Sequence, residues 1–134
     1  MTNKKGFTLI ELLIVISIIG VLALMGLRVY GNQQEKAKNA LVKANAGTVQ
    51  TLIQAELAER NFNTRDDAAL YIADNAGLHN PFNRAPMDKP GDFPEEDSAL
   101  APGKIKIILS DDGIFSIQGY GADGLLPDIL TARR

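Results

Sequence analysis

The sequence predicts an α+β fold: a long amino-terminal helix, about residues 7–59, packed by its second half on a small antiparallel β-sheet head. Three observations predict it. From Phe7 to Leu27, sixteen of twenty-one residues are apolar. Residues 32–59 then contain no proline and a single glycine, Gly47, among strong helix formers. Near the carboxyl end, β-rich segments flank Asp111-Asp112-Gly113, a good hairpin turn.

Composition removes several functional classes before any element is placed. The chain has 134 residues, 46% hydrophobic and 22% charged, with no cysteine and one histidine, His79. Thiolate zinc sites, iron–sulfur clusters and a Cys–His catalytic pair are excluded. Fourteen basic against sixteen acidic residues make no global positive field for a nucleic-acid backbone. The mean hydropathy of -0.02 averages an apolar amino-terminal run and a polar remainder.

The apolar run comes first. Twenty-one helical residues span roughly 31 Å, about the thickness of a bilayer's hydrocarbon core. A secretory signal has an apolar core of only about 7–15 residues and a small-x-small cleavage site; Ala23-Leu24-Met25 is a poor one. A membrane-spanning anchor fits better. Lys4 and Lys5 precede it, and Arg28, Lys36, Lys38 and Lys43 follow. A positive-inside count would put the carboxyl side in the cytoplasm, so charge alone leaves orientation open.

Glu11 is the anomaly within the run. An acidic side chain near the middle of a lipid-facing helix costs on the order of 2.5–3.5 kcal/mol, and Glu11 sits one turn inside. Two readings account for it. The favourable dipole end of a helix start holds a glutamate there. Alternatively, a chain cut before Phe7 places a new α-ammonium one turn away, on the same chain or on a neighbour.

Lys4-Lys5-Gly6-Phe7-Thr8-Leu9-Ile10-Glu11-Leu12-Leu13-Ile14-Val15-Ile16, continuing through Ser17-Ile18-Ile19-Gly20-Val21-Leu22-Ala23 and more loosely to Tyr30, resembles the class III signal of type IV pilins and pseudopilins. The resemblance covers about a fifth of the chain. It implies cleavage between Gly6 and Phe7 by a prepilin peptidase, N-methylation of Phe7, and pairing of Glu11 with the amino terminus of an adjacent subunit. It further implies a cytoplasmic leader (residues 1–6), a filament-core helix (residues 7–30) and a head (residues 31–134) outside the cytoplasm. The expected partners are further copies of the chain in a helical filament, the peptidase and an inner-membrane assembly platform. One position departs from the family: Arg28 stands where relatives usually carry a kinking proline. Gly20 and Gly26 remain, each costing about 1 kcal/mol against alanine in a helix interior, and are the expected points of helix flexibility.

The helix is expected to continue to about Glu59. Val42, Ala46, Val49, Ile53 and Leu57 recur at three- and four-residue steps, opposite Lys36, Lys43, Gln50, Gln54 and Arg60. A helix over residues 7–59 would be roughly 80 Å long, more than a head of this size can bury. Asn61-Phe62-Asn63 breaks the pattern. Thr64 caps a second, short helix with Asp66 and Asp67 in its first turn, and Asn75-Ala76-Gly77 stops it. A loop from Leu78 to Gly103 with five prolines follows. Lys104–Ser110 and Ile114–Gly119 form a hairpin. Leu125–Leu130, interrupted by Pro127, is at best an edge strand.

The Gly121-Ala122-Asp123-Gly124 stretch resembles the carboxyl-terminal region of the major pseudopilin of type II secretion, a family that binds calcium there. Asp111, Asp112, Asp123 and Asp128 are therefore calcium candidates, against the ordinary reading of aspartates beside glycines as turn formers. No other cofactor is implied. His79 reads as a loop residue, and Pro94-Glu95-Glu96-Asp97 as solvated surface. No acid–base constellation suggests an enzyme. The expected function is that of a type IV pilus subunit, inserted in the inner membrane as a precursor and then extracellular. The alternatives are a pseudopilin of type II secretion or DNA uptake and, more remotely, a singly anchored binding module. Without cysteines, the loop and tail must hold by packing, turns or an ion.

Overall fold

The computed structural model describes residues 5–59 and 62–133. Of the expected features, Lys4 of the leader, Arg60 of the polar helix face and the breaker Asn61 lie outside the described residues. The chain divides into two compact units between Gln34 and Glu35.

The amino-terminal unit consists of the first part of helix α1, which spans Leu9–Glu59 in all. The helix begins at Leu9 rather than Phe7, because Thr8 stands outside it as a cap. It passes without interruption through Gly20, Gly26 and Arg28. With proline absent, every backbone N–H in that stretch remains able to donate.

The carboxyl-terminal unit is a head in which the second part of α1 packs on a three-stranded antiparallel sheet. Val42, Ala46, Val49, Ile53 and Leu57 are buried, as their spacing predicts. Helix α2 (Arg65–Asn75) starts at a capping box: the Thr64 hydroxyl accepts the Asp67 N–H at 3.1 Å, and the Thr64 N–H donates to Asp67 Oδ2 at 3.1 Å. It ends on Ala76, with Gly77 in the left-handed region at φ 59°. Strands β1 (Ile105–Leu109), β2 (Phe115–Tyr120) and β3 (Leu125–Ala132) lie in the order β1-β2-β3. Ile105, Ile107, Phe115 and Ile117 point into the core, the period-2 pattern of a half-buried sheet.

Two expectations are corrected in the details. The last strand runs past Leu130 to Ala132, pairing Phe115 with Ala132, and Ala132 is fully buried. It is an edge strand, as its proline requires. Pro127 falls within the irregularity between the pairs Gln118–Ile129 and Tyr120–Leu125, where no ladder donor is missed. The Leu78–Gly103 loop contains two short 3-10 turns, Pro90–Asp92 and Asp97–Ala99. Met87 and Phe93 drive it into the core at 2% and 0% exposure. Asn80 pins its two ends, donating to the Pro102 carbonyl at 2.8 Å and accepting the Phe82 N–H at 2.8 Å.

The loop also runs along the open edge of β1. The Ile107 N–H donates to the Pro94 carbonyl at 3.1 Å, and the Ile107 carbonyl accepts from Arg65 Nε at 3.3 Å. At the opposite edge, α1 side chains take the place of a fourth strand. Gln50 Nε2 donates to the Thr131 carbonyl at 2.8 Å. Gln54 Nε2 donates to the Arg133 carbonyl at 2.6 Å, while the Arg133 N–H donates to Gln54 Oε1 at 3.1 Å. Four helical residues rise about 6 Å and two strand residues about 6.7 Å, so the two repeats match along the contact. Lys43 extends the row by an ion pair with Asp128. Lys43, Gln50 and Gln54, read from the sequence as a solvated face, are thus the staples of the carboxyl-terminal strand.

Candidate functional site

The candidate site is the start of the chain's first helix. Thr8 and Glu11 form a reciprocal cap: the Thr8 N–H donates to Glu11 Oε2 at 3.1 Å, and the Glu11 N–H donates to Thr8 Oγ1 at 3.3 Å. Two otherwise unpaired donors at the helix start are satisfied, and the carboxylate lies at the positive end of the helix dipole. The Thr-x-x-Glu spacing of a capping box is present in Thr8-Leu9-Ile10-Glu11, beside the dipole and α-ammonium readings of Glu11. Ser17, the remaining hydroxyl of the run, donates to the Leu13 carbonyl at 2.7 Å. Every polar side chain from Phe7 to Leu27 therefore has a local partner, and Phe7 lies four residues before the carboxylate, just ahead of the helix.

Among the described residues, none covers the apolar side chains of this segment. Seventeen large apolar side chains from Phe7 to Tyr30 are at least half exposed, Phe7 at 92%. The most apolar eighteen-residue window of α1 has mean hydropathy 2.7, and none of it is buried. At about 1.5–3 kcal/mol for burying each such side chain, the stabilisation left unrealised in water is on the order of tens of kcal/mol. A surface of that kind is an interaction site. Its length and composition suit a bilayer, and its satisfied backbone suits apolar surroundings of any origin.

The other sequence-predicted residues fall as follows. Gly6 lies ahead of the helix and is exposed. Gly20 and Gly26 lie inside it, with nothing within 4 Å of an added Cβ at either, so their smallness serves no contact among the described residues. The four calcium candidates are distributed. Asp111 and Asp112 occupy the β1–β2 turn and Asp123 the β2–β3 turn at the other end of the sheet, while Asp128 is paired with Lys43. Among the described residues, no group of three or more His, Cys, Asp or Glu side chains is arranged to hold a metal ion. His79 is exposed in the loop, where its carbonyl accepts from Asn45 Nδ2 at 3.0 Å.

Comparison with known proteins bears on the same segment. Residues 1–27 match the family model described as the prokaryotic N-terminal methylation motif. The chain is 38% identical over 76 residues to the fimbrial protein EcpB of Eikenella corrodens, covering 57% of this chain and 48% of that one. It is 36% identical over 78 residues to the type IV major alpha-pilin of Moraxella bovis, covering 58% and 49%. It is 39% identical over 56 residues to the type IV major fimbrial protein FimA of Dichelobacter nodosus, covering 42% and 36%. The chain spans about half the length, or less, of these curated relatives. No solved structure matches it. The relatives are named as a fimbrial protein, a type IV major pilin and a type IV major fimbrial protein.

Proposed function

We propose that this chain is the structural subunit of a type IV pilus, held in the membrane by its amino-terminal helix and then packed by the same helix into the filament core. The observation that carries the reading is the uncovered apolar surface from Phe7 to Tyr30, joined to a carboxylate fixed one turn inside it. Lipid before assembly and neighbouring helices after it would both cover that surface. The exchange leaves the backbone satisfied throughout, so its balance rests on packing and on the few polar groups present.

Processing prepares the segment. A prepilin peptidase cuts between Gly6 and Phe7 and methylates the new Phe7 amine. Glu11 then pairs with the Phe7 ammonium of an adjacent copy. Thr8 occupies Glu11 Oε2, while Oε1 remains as an acceptor for that cation. The cap presets the carboxylate, so little side-chain entropy is lost when the neighbour arrives. The curated relatives' names, fimbrial protein and type IV major pilin, favour a pilus over a secretion pseudopilus.

Replacing Glu11 with valine tests the assembly role. Membrane insertion and leader removal should proceed, while incorporation into filaments falls at least about tenfold, the scale of a lost buried charge pair. Undiminished incorporation of the processed variant would sink the role given to Glu11.

A further inference from the structure

The two side edges of the head differ in charge. Beyond β1 runs residues 88–97 of the long loop, with five acidic side chains (Asp88, Asp92, Glu95, Glu96, Asp97) against one lysine, Lys89. The loop is tied down from the sheet side. Lys106 Nζ pairs with Asp97 at 2.5 Å, and Lys104 Nζ donates to the carbonyls of Gly91 at 3.0 Å and Ala99 at 3.2 Å. Those cations are committed inward, the Lys106 side chain being only 14% exposed. Glu95 and Glu96 are exposed, and neither has an ion pair among the described residues.

Beyond β3, on the opposite edge, α1 presents Lys36 and Lys43. Seven residues apart, they lie two turns from each other on one face, which Gln50 continues. Lys36 is exposed with no partner among the described residues. Lys43 keeps a 52% exposed side chain although Asp128 is beside it. Residues 35–43 hold three lysines and one acid, Glu35.

We propose that this lysine face of α1 docks the acidic 88–97 loop of a second copy of the chain. The inference rests on the filament reading and names a head-to-head contact within it. Complementary patches on opposite edges of one sheet make a heterologous contact, the kind that propagates into a helix rather than closing a dimer. The acidic edge repels its own kind, which disfavours the two-fold alternative. Exposed pairs contribute only about 0.2–1 kcal/mol each and are screened by salt. The contact therefore sets which edge meets which, while the apolar helices supply the bulk of the association.

Charge reversal in cells producing the full chain tests it. Glu95→Lys with Glu96→Lys, and separately Lys36→Glu with Lys43→Glu, should each lower the yield of sheared filaments roughly tenfold. Leader processing should stay native throughout, and head circular dichroism should stay native in the Glu95/Glu96 variant and in Lys36→Glu, whereas Lys43→Glu also breaks the pair with Asp128. Lys36→Glu alone, which keeps the Lys43–Asp128 pair, should give a smaller loss in the same direction. All four substitutions in one chain should restore the yield, because the two edges are again complementary. Native yield from both double variants would overturn the docking, as would failure of the folded, processed four-substitution chain to recover. Absence of filaments from the native chain would instead count against the filament reading itself.

Discussion

Gln54 and Arg133 are joined by two opposed hydrogen bonds, side-chain amide to backbone amide, at 2.6 and 3.1 Å. A primary amide there reproduces the two-way pairing of neighbouring strands, so a helix side chain completes the edge of the sheet. In a chain without cysteine, this contact and the Gln50–Thr131 bond hold the tail.

Gln54→Ala should cost about 1–2 kcal/mol, two solvent-accessible hydrogen bonds at the net value such bonds carry. Amide exchange at Arg133, whose N–H loses its acceptor, should quicken while exchange at Ile117 in the central strand stays slow. Unchanged exchange at Arg133 would show that packing of Ala132 alone fixes the tail.

Thr8→Val keeps shape but removes the cap acceptor. Loss of an N-cap costs about 0.5–2 kcal/mol, felt in the first turn of α1. In detergent-solubilised full-length protein, the amides of Glu11 and Leu12 should lose protection, and those after Ser17 should not. Protection equal to native would mean that the Thr8 hydroxyl does not hold the Glu11 N–H.

Gly20→Ala and Gly26→Ala meet no neighbour among the described residues, so each should stabilise the helix by about 1 kcal/mol. Slower exchange between Val21 and Leu27 is the expected readout. If assembly draws on local helix opening there, the double variant will also make fewer filaments despite normal processing.

Gly103→Ala should unfold or severely weaken the head. Its φ of 90° is in the left-handed region, and an added Cβ would lie 1.9 Å from Asn80 Oδ1. Strain and overpacking together amount to about 2–5 kcal/mol. A thermal midpoint within a few degrees of native in the head transition would contradict the pinning role given to Asn80.

Much of this was legible in the residues. The Val42-to-Leu57 stripe, the Thr64 cap and the Asp111-Asp112-Gly113 turn are local patterns, and local patterns report periodicity and turn chemistry directly. What escaped depends on distant partners. Thr131 and Ala132 become strand only because Phe115 and Ser116 lie opposite. Gln50 and Gln54 read as a wet face because polarity tells which side of a helix avoids the core, not which backbone its amides meet. The cap at Thr8 is the reverse case, a spacing present in the sequence whose meaning the anomaly of Glu11 obscured.

The central claim is that this chain becomes a filament subunit by way of its exposed apolar helix. Its most direct test is the amino-terminal residue of the chain in sheared surface filaments, read by mass spectrometry. The account predicts filaments built of this chain, beginning at N-methylated Phe7 and lacking residues 1–6. Filaments without this chain, or a chain that stays in the membrane fraction with Lys4-Lys5-Gly6 still attached, would contradict it.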